Sequence, residues 1–255
     1  MALSYRHQAI LDVARSIGRV AVDDLAERLT VTPQTIRRDL NDLCEQGHLS
    51  RVHGGAILES GVANLAYDAR RLMAADEKEL IGRLCARAIP DNASIFINIG
   101  TTTEAVARAL LKRRDIMVIT NNLNVANILA SNPHCDVVVT GGMLRRSDGG
   151  LVGESTVDMV EQFRTDYAVI GVSAIDEDGS LLDFDYREVR VAQAIIKNAR
   201  KTFLVADSSK LARSAPVRIG HMREISHFFT DTITSENLRQ VCEQHGVDIS
   251  TVETA

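Results

Sequence analysis

Apolar residues in the first part of the chain recur at the spacing of amphipathic helices. The pattern predicts a helix over Tyr5–Ile17 and a second, shorter helix over Val22–Leu29. Ile36, Leu40 and Leu43 then fall at positions i, i+4 and i+7, which predicts a third helix with one buried stripe. The first part of the chain is therefore predicted to be a small and mainly helical unit.

The third helix carries polar side chains opposite its buried stripe. Thr32 is suited to cap its N-terminus, and Pro33 suits the first helical position because its missing N–H group loses no hydrogen bond there. Amide and guanidinium groups in the first turns of a helix can enter the DNA major groove and pair with base edges and phosphates. When the helix is taken alone, an ordinary solvated face explains the same pattern equally well. The polar face consists of Gln34, Thr35, Arg37, Arg38 and Asn41.

A β-hairpin is predicted directly after this helix. Leu49–Val52 has a strand pattern, His53-Gly54-Gly55 is a turn sequence, and residues 56–58 return. Helix, helix-turn-helix and hairpin in this order make a winged helix, whose wing can lie against the phosphate backbone. The combination favours DNA binding by a domain over residues 1–58. We expect Gln34, Thr35 and Arg38 near base edges, and Arg37, Arg51 and His53 on phosphates.

The overall charge restricts how this domain can bind DNA. The chain has a formal net charge of −5, and its first 60 residues hold seven arginines, no lysine and eight acidic residues. This balance is unlike that of a general nucleic-acid coat protein, so DNA contact must rest on a local basic patch. We therefore expect modest non-specific affinity and dimeric binding to operator DNA.

A different pattern begins at residue 76, after a segment over residues 59–75 that lacks clear periodicity and is predicted to be a linker. Apolar runs of strand length alternate with helical stretches, which is typical of a mostly parallel sheet covered by helices on both faces. The fold class is therefore α/β, with an N-terminal winged helix-turn-helix and a larger α/β domain over residues 76–255. The predicted strands are Ser94–Ile99, Ile116–Thr120, Val137–Thr140, Tyr167–Val172, Thr202–Ala206, His227–Thr230 and Val247–Val252. The predicted helices are Glu77–Ile89, Thr103–Leu111, Val125–Ala130, Thr156–Phe163, Glu188–Ala199 and Glu236–Gln244.

Small and polar residues follow the predicted strands, at the edge where open parallel sheets bind ligands. Gly100–Thr103 opens a helix, and its backbone N–H groups, hydroxyls and positive dipole end suit a phosphate. Lys210 supplies a cation, while Asp176 or nearby amides can hold hydroxyl groups. Turn chemistry alone explains such residues in any single loop, but five such loops at one edge favour a ligand crevice. The residues at this edge are Gly100, Thr101, Thr102, Thr103, Asn121, Asn122, Gly141, Gly142, Ser173, Asp176 and Lys210.

The segment from Asp183 to Arg190 concentrates charges at the start of a predicted helix. Acidic residues near a helix N-terminus are routine caps, which accounts for Asp185 and Glu188. The alternative is that Asp185 or Glu188 closes over the effector, or that the segment crosses a subunit interface. The sequence leaves the two interpretations equal.

Composition excludes several other classes of protein. The four cysteines are scattered without a C-x-x-C pair, which indicates free thiols in a reducing cytoplasm and no zinc site or disulfide framework. Polar residues break every apolar run at the N-terminus, and no run reaches the roughly 20 residues that span a bilayer. We therefore expect a cytoplasmic protein without membrane contact, bound metal or cofactor.

The stretches VTPQTIRRDLNDLCEQGHL and RVHGGA resemble the N-terminal signature of the DeoR family of bacterial transcriptional regulators, and the resemblance continues along essentially the whole chain. It implies that the C-terminal part is similar to the ribose-5-phosphate isomerase fold, reused as an inducer-binding domain. It also implies that the Gly100–Thr103 loop and Lys210 handle the phosphate of the effector.

Four further stretches look specifically like the members of the family that respond to glycerol 3-phosphate: TNNLNVAN, GGMLRRSDGGLVGE, IDEDGSLLDFDYREVR and ADSSK. Three departures are visible. Ala21 stands where a Ser or Thr cap is usual, Asn98 stands where many relatives have Asp, and LARSAP follows Lys210 in place of a glycine- and asparagine-containing version.

The expected function is a DNA-binding repressor whose operator affinity is lowered by a phosphorylated polyol, with sn-glycerol 3-phosphate as the leading effector. Two alternatives stay open. One is a regulator that responds to a different sugar phosphate. The other is a sugar-phosphate isomerase-like enzyme in which Asp176, Glu188 and Lys210 do acid–base work. A homo-oligomer, dimer or tetramer, is expected because one winged helix buries little DNA surface.

Overall fold

The computed structural model describes residues 4–17, 19–46, 48–52, 54–58 and 67–252. The chain divides into two compact units, one over Met1–Met73 and one over Ala74–Ala255. Each unit has its own hydrophobic core.

The first unit is a winged helix. Its helices bury the stripe predicted from the sequence: Ile36, Leu40 and Leu43 are fully buried, and they pack with Ile10 and Leu25 from the two preceding helices. The three strands form an antiparallel sheet in the order β1–β3–β2. The predicted helices and hairpin are confirmed, while β1 is too short to show in the sequence pattern. The elements are α1 (Tyr5–Ile17), β1 (Arg19–Ala21), α2 (Val22–Arg28), α3 (Pro33–Glu45), β2 (Leu49–Val52), β3 (Gly55–Leu58) and α4 (Tyr67–Leu72).

The caps of α2 and α3 follow the sequence. The backbone N–H of Thr35 donates to Thr32 Oγ1 at 3.3 Å, and Pro33 occupies the first turn of α3. Ala21 precedes α2 and provides no side-chain cap, because a methyl group cannot accept a hydrogen bond. Asp23 and Asp24 in the first turn of α2 provide favourable interactions with the helix dipole instead.

The segment predicted as a linker contains a helix at its C-terminal end. Residues 59–66 lie outside the described part of the chain, but Tyr67–Leu72 is helical. Asp68 in its first turn and Arg70 and Arg71 in its last turn complement the helix dipole. A helix of six residues is too short to produce a readable periodicity, so the sequence pattern does not predict it. The proposed boundaries 1–58, 59–75 and 76–255 remain predictions.

The second unit is built on a seven-stranded sheet in the order β15–β14–β12–β9–β4–β5–β6, in which every neighbouring pair is parallel. The strands are β4 (Ser94–Ile97), β5 (Ile116–Thr120), β6 (Cys135–Val139), β9 (Thr165–Ile170), β12 (Ala199–Val205), β14 (His227–Thr230) and β15 (Asp248–Thr251). The helices are α5 (Ala75–Arg87), α6 (Thr101–Ala109), α7 (Leu123–Leu129), α8 (Glu154–Glu161), α9 (Tyr186–Lys197) and α10 (Glu236–Gln244).

Two hydrophobic clusters cover the two faces of this sheet. Alternate residues of β4 belong to different clusters: Phe96 to one, Ile95 and Ile97 to the other. The predicted doubly covered sheet is thus confirmed, with each predicted strand and helix present and its ends shifted by up to three residues.

Five short strands outside this sheet escape the sequence pattern. These strands pair in antiparallel ribbons and contain three, three, two, four and five residues. Their alternation of apolar and polar residues is too short to be recognised in the sequence. They are β7 (Met143–Arg145), β8 (Gly150–Val152), β10 (Ala174–Ile175), β11 (Ser180–Asp183) and β13 (Val217–His221).

All four cysteines are free thiols. Cys85 and Cys242 are buried, and Cys44 and Cys135 are half-buried. Burial raises the pKa of the Cys242 thiol to about 11, which keeps it in the unreactive protonated form. In the part of the chain described, no helix is long and apolar enough to cross a membrane.

Candidate DNA-contact surface and effector site

The polar face of α3 is open to solvent. Gln34, Arg37, Arg38 and Asn41 are exposed, and Arg51 is exposed on β2. Amide and guanidinium groups on one face of a helix that follows a tight turn have the chemistry needed to read a major groove.

Two of the predicted DNA-contacting residues differ from the others. Thr35 is half-buried, and its hydroxyl lies 2.9 Å from that of Thr32, so it also supports the helix cap. His53 lies outside the described residues. The DNA contacts of all seven predicted residues remain a prediction.

A buried carboxylate fixes α3 against α1. Asp39 is only 4% exposed, and its two oxygens accept hydrogen bonds from Arg6 Nε at 2.5 Å and Arg6 Nη2 at 2.9 Å. His7 Nε2 lies 3.3 Å from the same carboxylate. The hydrogen bonds from Arg6 hold the pKa of Asp39 below its usual value despite burial. This contact is not among the sequence predictions, although an acidic residue three positions after Ile36, beside the buried stripe, indicates that it has a partner.

The first turn of α6 lies at the carboxyl edge of the sheet. Thr101, Thr102 and Thr103 are all buried, so this helix start is enclosed by the protein. The Thr103 hydroxyl is shared between the carbonyl oxygens of Asn98 and Gly100, each at 2.8 Å. Thr103 therefore shapes the loop, while Thr101 and Thr102 are the hydroxyls available to a ligand.

Asn98 connects the central strands. Its Oδ1 accepts a hydrogen bond of 3.0 Å from the Gly171 N–H, which joins the ends of β4 and β9. A carboxylate would accept the same bond, so the Asn that departs from the family pattern preserves the local geometry.

The two asparagines after β5 have different roles. Asn122 Oδ1 caps α7 by accepting from the Asn124 N–H at 2.9 Å. Asn121 Nδ2 donates to the Leu151 carbonyl at 3.0 Å, whereas Asn121 Oδ1 is buried without a hydrogen-bond partner among the described residues. A buried acceptor of this kind requires a donor, so Asn121 is the better candidate for a ligand hydroxyl.

The glycines after β6 meet α8. Thr156 Oγ1 donates to the Gly141 carbonyl at 2.7 Å, and a Cβ atom at Gly142 would collide with the same hydroxyl. Gly142 also has a φ of +131°, which L side chains rarely adopt. Close helix packing therefore explains Gly142 without a ligand.

Arg145 on β7 forms ion pairs with three acidic residues near the start of α9. Its Nη1 lies 3.1 Å from Asp185 Oδ2, its Nη2 2.5 Å from Glu188 Oε2, and its Nε and Nη2 bind Asp148 at 2.9 and 2.7 Å. Burial alone would raise the pKa of Asp185, but hydrogen bonds from Arg187 and Arg145 lower this pKa to about 2. Both predicted acids thus contact one guanidinium, that of Arg145, which is not among the residues predicted from the sequence.

The pKa of Glu188 is shifted in the opposite direction to that of Asp185. Burial, reinforced by the nearby charge of Asp183, raises the pKa of Glu188 to about 8 even beside Arg145. Asp185 also caps α9 by accepting from the Arg187 N–H at 2.9 Å, so the capping interpretation is confirmed for that residue. Closure over an effector by either acid remains untested.

Ser173 and Asp176 leave β9 in different environments. Ser173 is buried near the edge, and its N–H donates to the Leu182 carbonyl at 3.0 Å. Asp176 lies in the exposed turn between β10 and β11, where its N–H donates to the Ser180 carbonyl. The turn places Asp176 on the surface, beyond the buried residues at the strand ends.

Lys210 lies in a 3-10 helix, Ser208–Ala212, directly after β12. It is 7% exposed, and the carboxylate of Asp207 before it is 2% exposed. Burial alone would raise the pKa of Asp207, but the charges of Lys210, Lys78 and Arg213 and a hydrogen bond from the Ser209 side chain together lower that pKa. Lys210 is thus a buried cation at the carboxyl edge, as a phosphate site requires.

Strand order limits which of these residues one effector can touch. From β12 to β6 there are four strand spacings of about 4.8 Å, hence a span of about 19 Å. A three-carbon polyol phosphate is shorter than this span. The first turn of α6 follows β4, which lies midway between β12 and β6. An effector bound there could extend toward Lys210, which follows β12, or toward Asn121, which follows β5. It would be too short to reach from Lys210 to Gly142, which follows β6. Among the described residues, no cluster of His, Cys, Asp or Glu could hold a metal ion.

A winged helix joined to a parallel-sheet α/β unit with a polar carboxyl edge defines a two-domain transcriptional regulator with a sensor domain. Residues 6–61 match the DeoR-like helix-turn-helix domain, and residues 73–232 match the DeoR C terminal sensor domain. The chain belongs to the DeoR family.

Two relatives extend over almost the whole chain. The chain is 44% identical to the glycerol-3-phosphate regulon repressor of Escherichia coli (strain K12), over 98% of this chain and 99% of that protein. It is 46% identical to the glycerol-3-phosphate regulon repressor of Haemophilus influenzae, over 96% of this chain and 95% of that protein.

Among solved structures, ribose 5 phosphate isomerase A from Neisseria gonorrhoeae is similar with a TM-score of 0.39 and 14% identity, over 53% of each chain.

Proposed function

We propose that this chain is a transcriptional repressor whose winged helix holds an operator and releases it when sn-glycerol 3-phosphate binds the α/β unit. The observation that carries the proposal is identity of 44–46% along nearly the full length to two repressors of the glycerol-3-phosphate regulon. The exposed polar face of α3 and the enclosed start of α6 beside a buried lysine support the two halves of the function.

The mechanism requires the effector to distinguish two states of the protein. An effector that binds the DNA-released arrangement and the DNA-bound arrangement equally shifts nothing. A 100-fold fall in operator affinity needs a 100-fold preference of the effector for the released arrangement, which is about 2.7 kcal/mol of coupling. The segment 59–75 and the contacts between subunits of a dimer or tetramer are the elements that we propose to carry this coupling.

The DNA partner follows from the same proposal. One winged helix buries too little surface for specific binding at physiological salt, so two or more copies occupy repeated half-sites of the operator. Action on chromosomal DNA places the protein in the cytoplasm.

The decisive experiment is an electrophoretic mobility shift of the native promoter with purified full-length protein. Addition of glycerol 3-phosphate is expected to release the DNA, whereas glycerol, which lacks the phosphate, is expected to have no effect. Retention of the shifted band at saturating glycerol 3-phosphate contradicts the effector assignment. A panel of other phosphorylated sugars then identifies a different effector by the same release.

We infer that the chain is not an enzyme. The three residues considered for acid–base work have separate surroundings: Glu188 binds Arg145, Lys210 lies beside Asp207, and Asp176 is in an exposed turn. A fold alone is no evidence of chemistry. Turnover of ribose 5-phosphate by the purified protein, abolished in Lys210→Ala, would overturn this inference.

A further inference from the structure

Helices α5 and α6 both end at the edge of the sheet opposite to the candidate effector site. Helix α5 ends at Arg87, before β4 begins. Helix α6 is followed by a 3-10 helix, Leu110–Lys112, before β5 begins. Both helices therefore run toward the amino ends of the strands. The last turn of α6 lies about 12 Å from its first turn, because a helix rises about 1.5 Å per residue.

Close packing holds the two helices side by side. Gly82 of α5 lies against the backbone of Ala105 in α6, where an added Cβ atom would be 2.7 Å from the Ala105 carbonyl oxygen. Between this contact and the ends of the helices there is a groove of about 580 Å³. Small-molecule sites in proteins have volumes of roughly 300 to 1,000 Å³, so the groove is large enough for such a ligand.

Basic side chains line this groove from both helices. Five of its eight lining residues are cationic, and the described part of the lining contains no acidic residue. This is a local concentration of positive charge in a chain whose formal net charge is −5. The cationic residues are Arg83 and Arg87 on α5, Arg108 on α6, and Lys112 and Arg113 after it.

Two of the five cations have partners within the fold. Arg113 Nη2 donates to the carbonyl oxygen of Ala86 at 2.9 Å, and Arg113 Nη1 lies 3.9 Å from Asp91 Oδ1. Arg108 Nη2 lies 2.6 Å from Glu79 Oε1. These contacts tie the end of α5 to the segment after α6, and they give both arginines a structural role.

The side chains of the other three cations, Arg83, Arg87 and Lys112, form no hydrogen bond or ion pair with any other described residue. All three are exposed. The negative end of the helix dipole stabilises cations in a last turn, which accounts for Arg87 and Lys112. It does not account for Arg83, which precedes the last turn of α5. Arg83 and Arg87 are like charges at i and i+4, an arrangement that destabilises a helix.

The charge and shape of the groove select one class of anion. Five cations less the carboxylates of Glu79 and Asp91 leave a formal charge of +3. Packed helix axes lie about 8 to 10 Å apart, so a single phosphate group is too small to contact both helices. A chain of two or three phosphate groups has the length and the charge to do so. A DNA duplex carries its phosphates on a convex surface that does not enter a groove of this size.

We propose that the groove between the last turns of α5 and α6 is a second anion site, which binds a small polyphosphate such as the phosphate chain of a nucleotide. Arg83 and Arg87 bind the chain from one helix, and Lys112 binds it from the other side. Leu111, 36% exposed in the lining, provides an apolar contact for the carbon part of the ligand. The site goes beyond the proposed function, because it lies at the opposite edge from the effector site.

Isothermal titration calorimetry of the full-length protein with inorganic tripolyphosphate tests the proposal. Buffer of low ionic strength without Mg²⁺ avoids screening and competition for the anion. Arg83→Ala and Arg87→Ala are each expected to weaken the Kd by about 10-fold, because one charge-assisted hydrogen bond is lost. Arg164→Ala, at an exposed arginine before β9 and outside the groove, is the matched control and leaves the Kd unchanged. Far-UV circular dichroism checks that each variant is folded.

Two results would overturn the proposal. One is the absence of tripolyphosphate binding by the wild type. The other is an unchanged Kd in both groove variants, which would place the anion elsewhere, for example at the carboxyl edge of the sheet. If a duplex without operator sequence binds more weakly to Arg83→Ala while tripolyphosphate does not compete with it, the groove contacts DNA and the assignment to a small ligand is wrong. None of these results depends on release of the operator by glycerol 3-phosphate, so the repressor function is tested separately.

Discussion

Arg145 Nη2 donates a hydrogen bond of 2.5 Å to Glu188 Oε2, and this contact joins the β7–β8 hairpin to the first turn of α9. The same guanidinium binds Asp148 and Asp185. One cation, whose side chain is 18% exposed, therefore contacts three carboxylates. An effector that engaged Glu188 or Asp185 would have to compete with Arg145 for these carboxyl groups.

Removal of Arg145 is expected to destabilise the α/β unit. Arg145→Met removes the guanidinium from the buried Asp148 and from Glu188 and leaves Asp185 with Arg187, which costs about 3 kcal/mol because a buried carboxylate loses this cation. The free energy of unfolding from urea denaturation measures the loss. Arg146→Met, at the exposed neighbour, is the matched control and is expected to change stability by less than about 0.5 kcal/mol. Equal effects of the two substitutions contradict a structural role of the network.

Glu188 is expected to make stability depend on pH near neutrality. Its pKa in the folded protein is raised to about 8, so its stabilising contribution is complete below its ordinary pKa and is lost as the pH rises through about 8. Glu188→Gln is expected to flatten the fall in unfolding free energy between about pH 5 and 8. Glu161→Gln, on the exposed side of α8, retains the wild-type profile. A Glu188→Gln profile parallel to that of the wild type would show that this carboxyl does not titrate in that interval.

Asp39 gives the winged helix an acid-sensitive contact. Its pKa is lowered by Arg6, so it contributes stability above its ordinary pKa, and that contribution is lost as the pH falls below about 4. Asp39→Asn is expected to cost about 1.5 to 3 kcal/mol at neutral pH, with a smaller difference from wild type in acid. Thermal unfolding of both proteins at neutral and acidic pH measures this. Asp42→Asn on the same helix is the control, and a pH-independent loss in Asp39→Asn argues against the ion pair with Arg6.

The exposed arginines of the winged helix are expected to have separate roles. Arg38→Ala should alter operator preference, with discrimination at one base pair reduced by about 1 to 3 kcal/mol. Arg51→Ala should weaken binding to all sequences alike and reduce the salt dependence by about one phosphate contact. Binding to a panel of operator variants at fixed and varied salt measures both. A uniform loss in both variants contradicts this division of roles.

The sequence predicts elements well where a repeating pattern runs long enough. The stripe of Ile36, Leu40 and Leu43 and the seven apolar strand runs are each readable from their periodicity. The helix Tyr67–Leu72 and the β7–β8 hairpin are missed because three to six residues cannot establish a period. His53, predicted on the wing, lies outside the described residues, so its role stays a prediction.

The sequence by itself determines the winged helix, the parallel sheet and the set of polar residues that follow its strands, because periodicity and turn chemistry are local properties. Only the tertiary structure decides which of those residues meet. Lys78 and Asp207 are 129 positions apart, and the sheet order and the packing of Gly82 on Ala105 bring them to one edge. Arg145 and Glu188 meet only because the hairpin folds back over the start of α9. Charge pairing between distant segments is a three-dimensional property that no local pattern encodes.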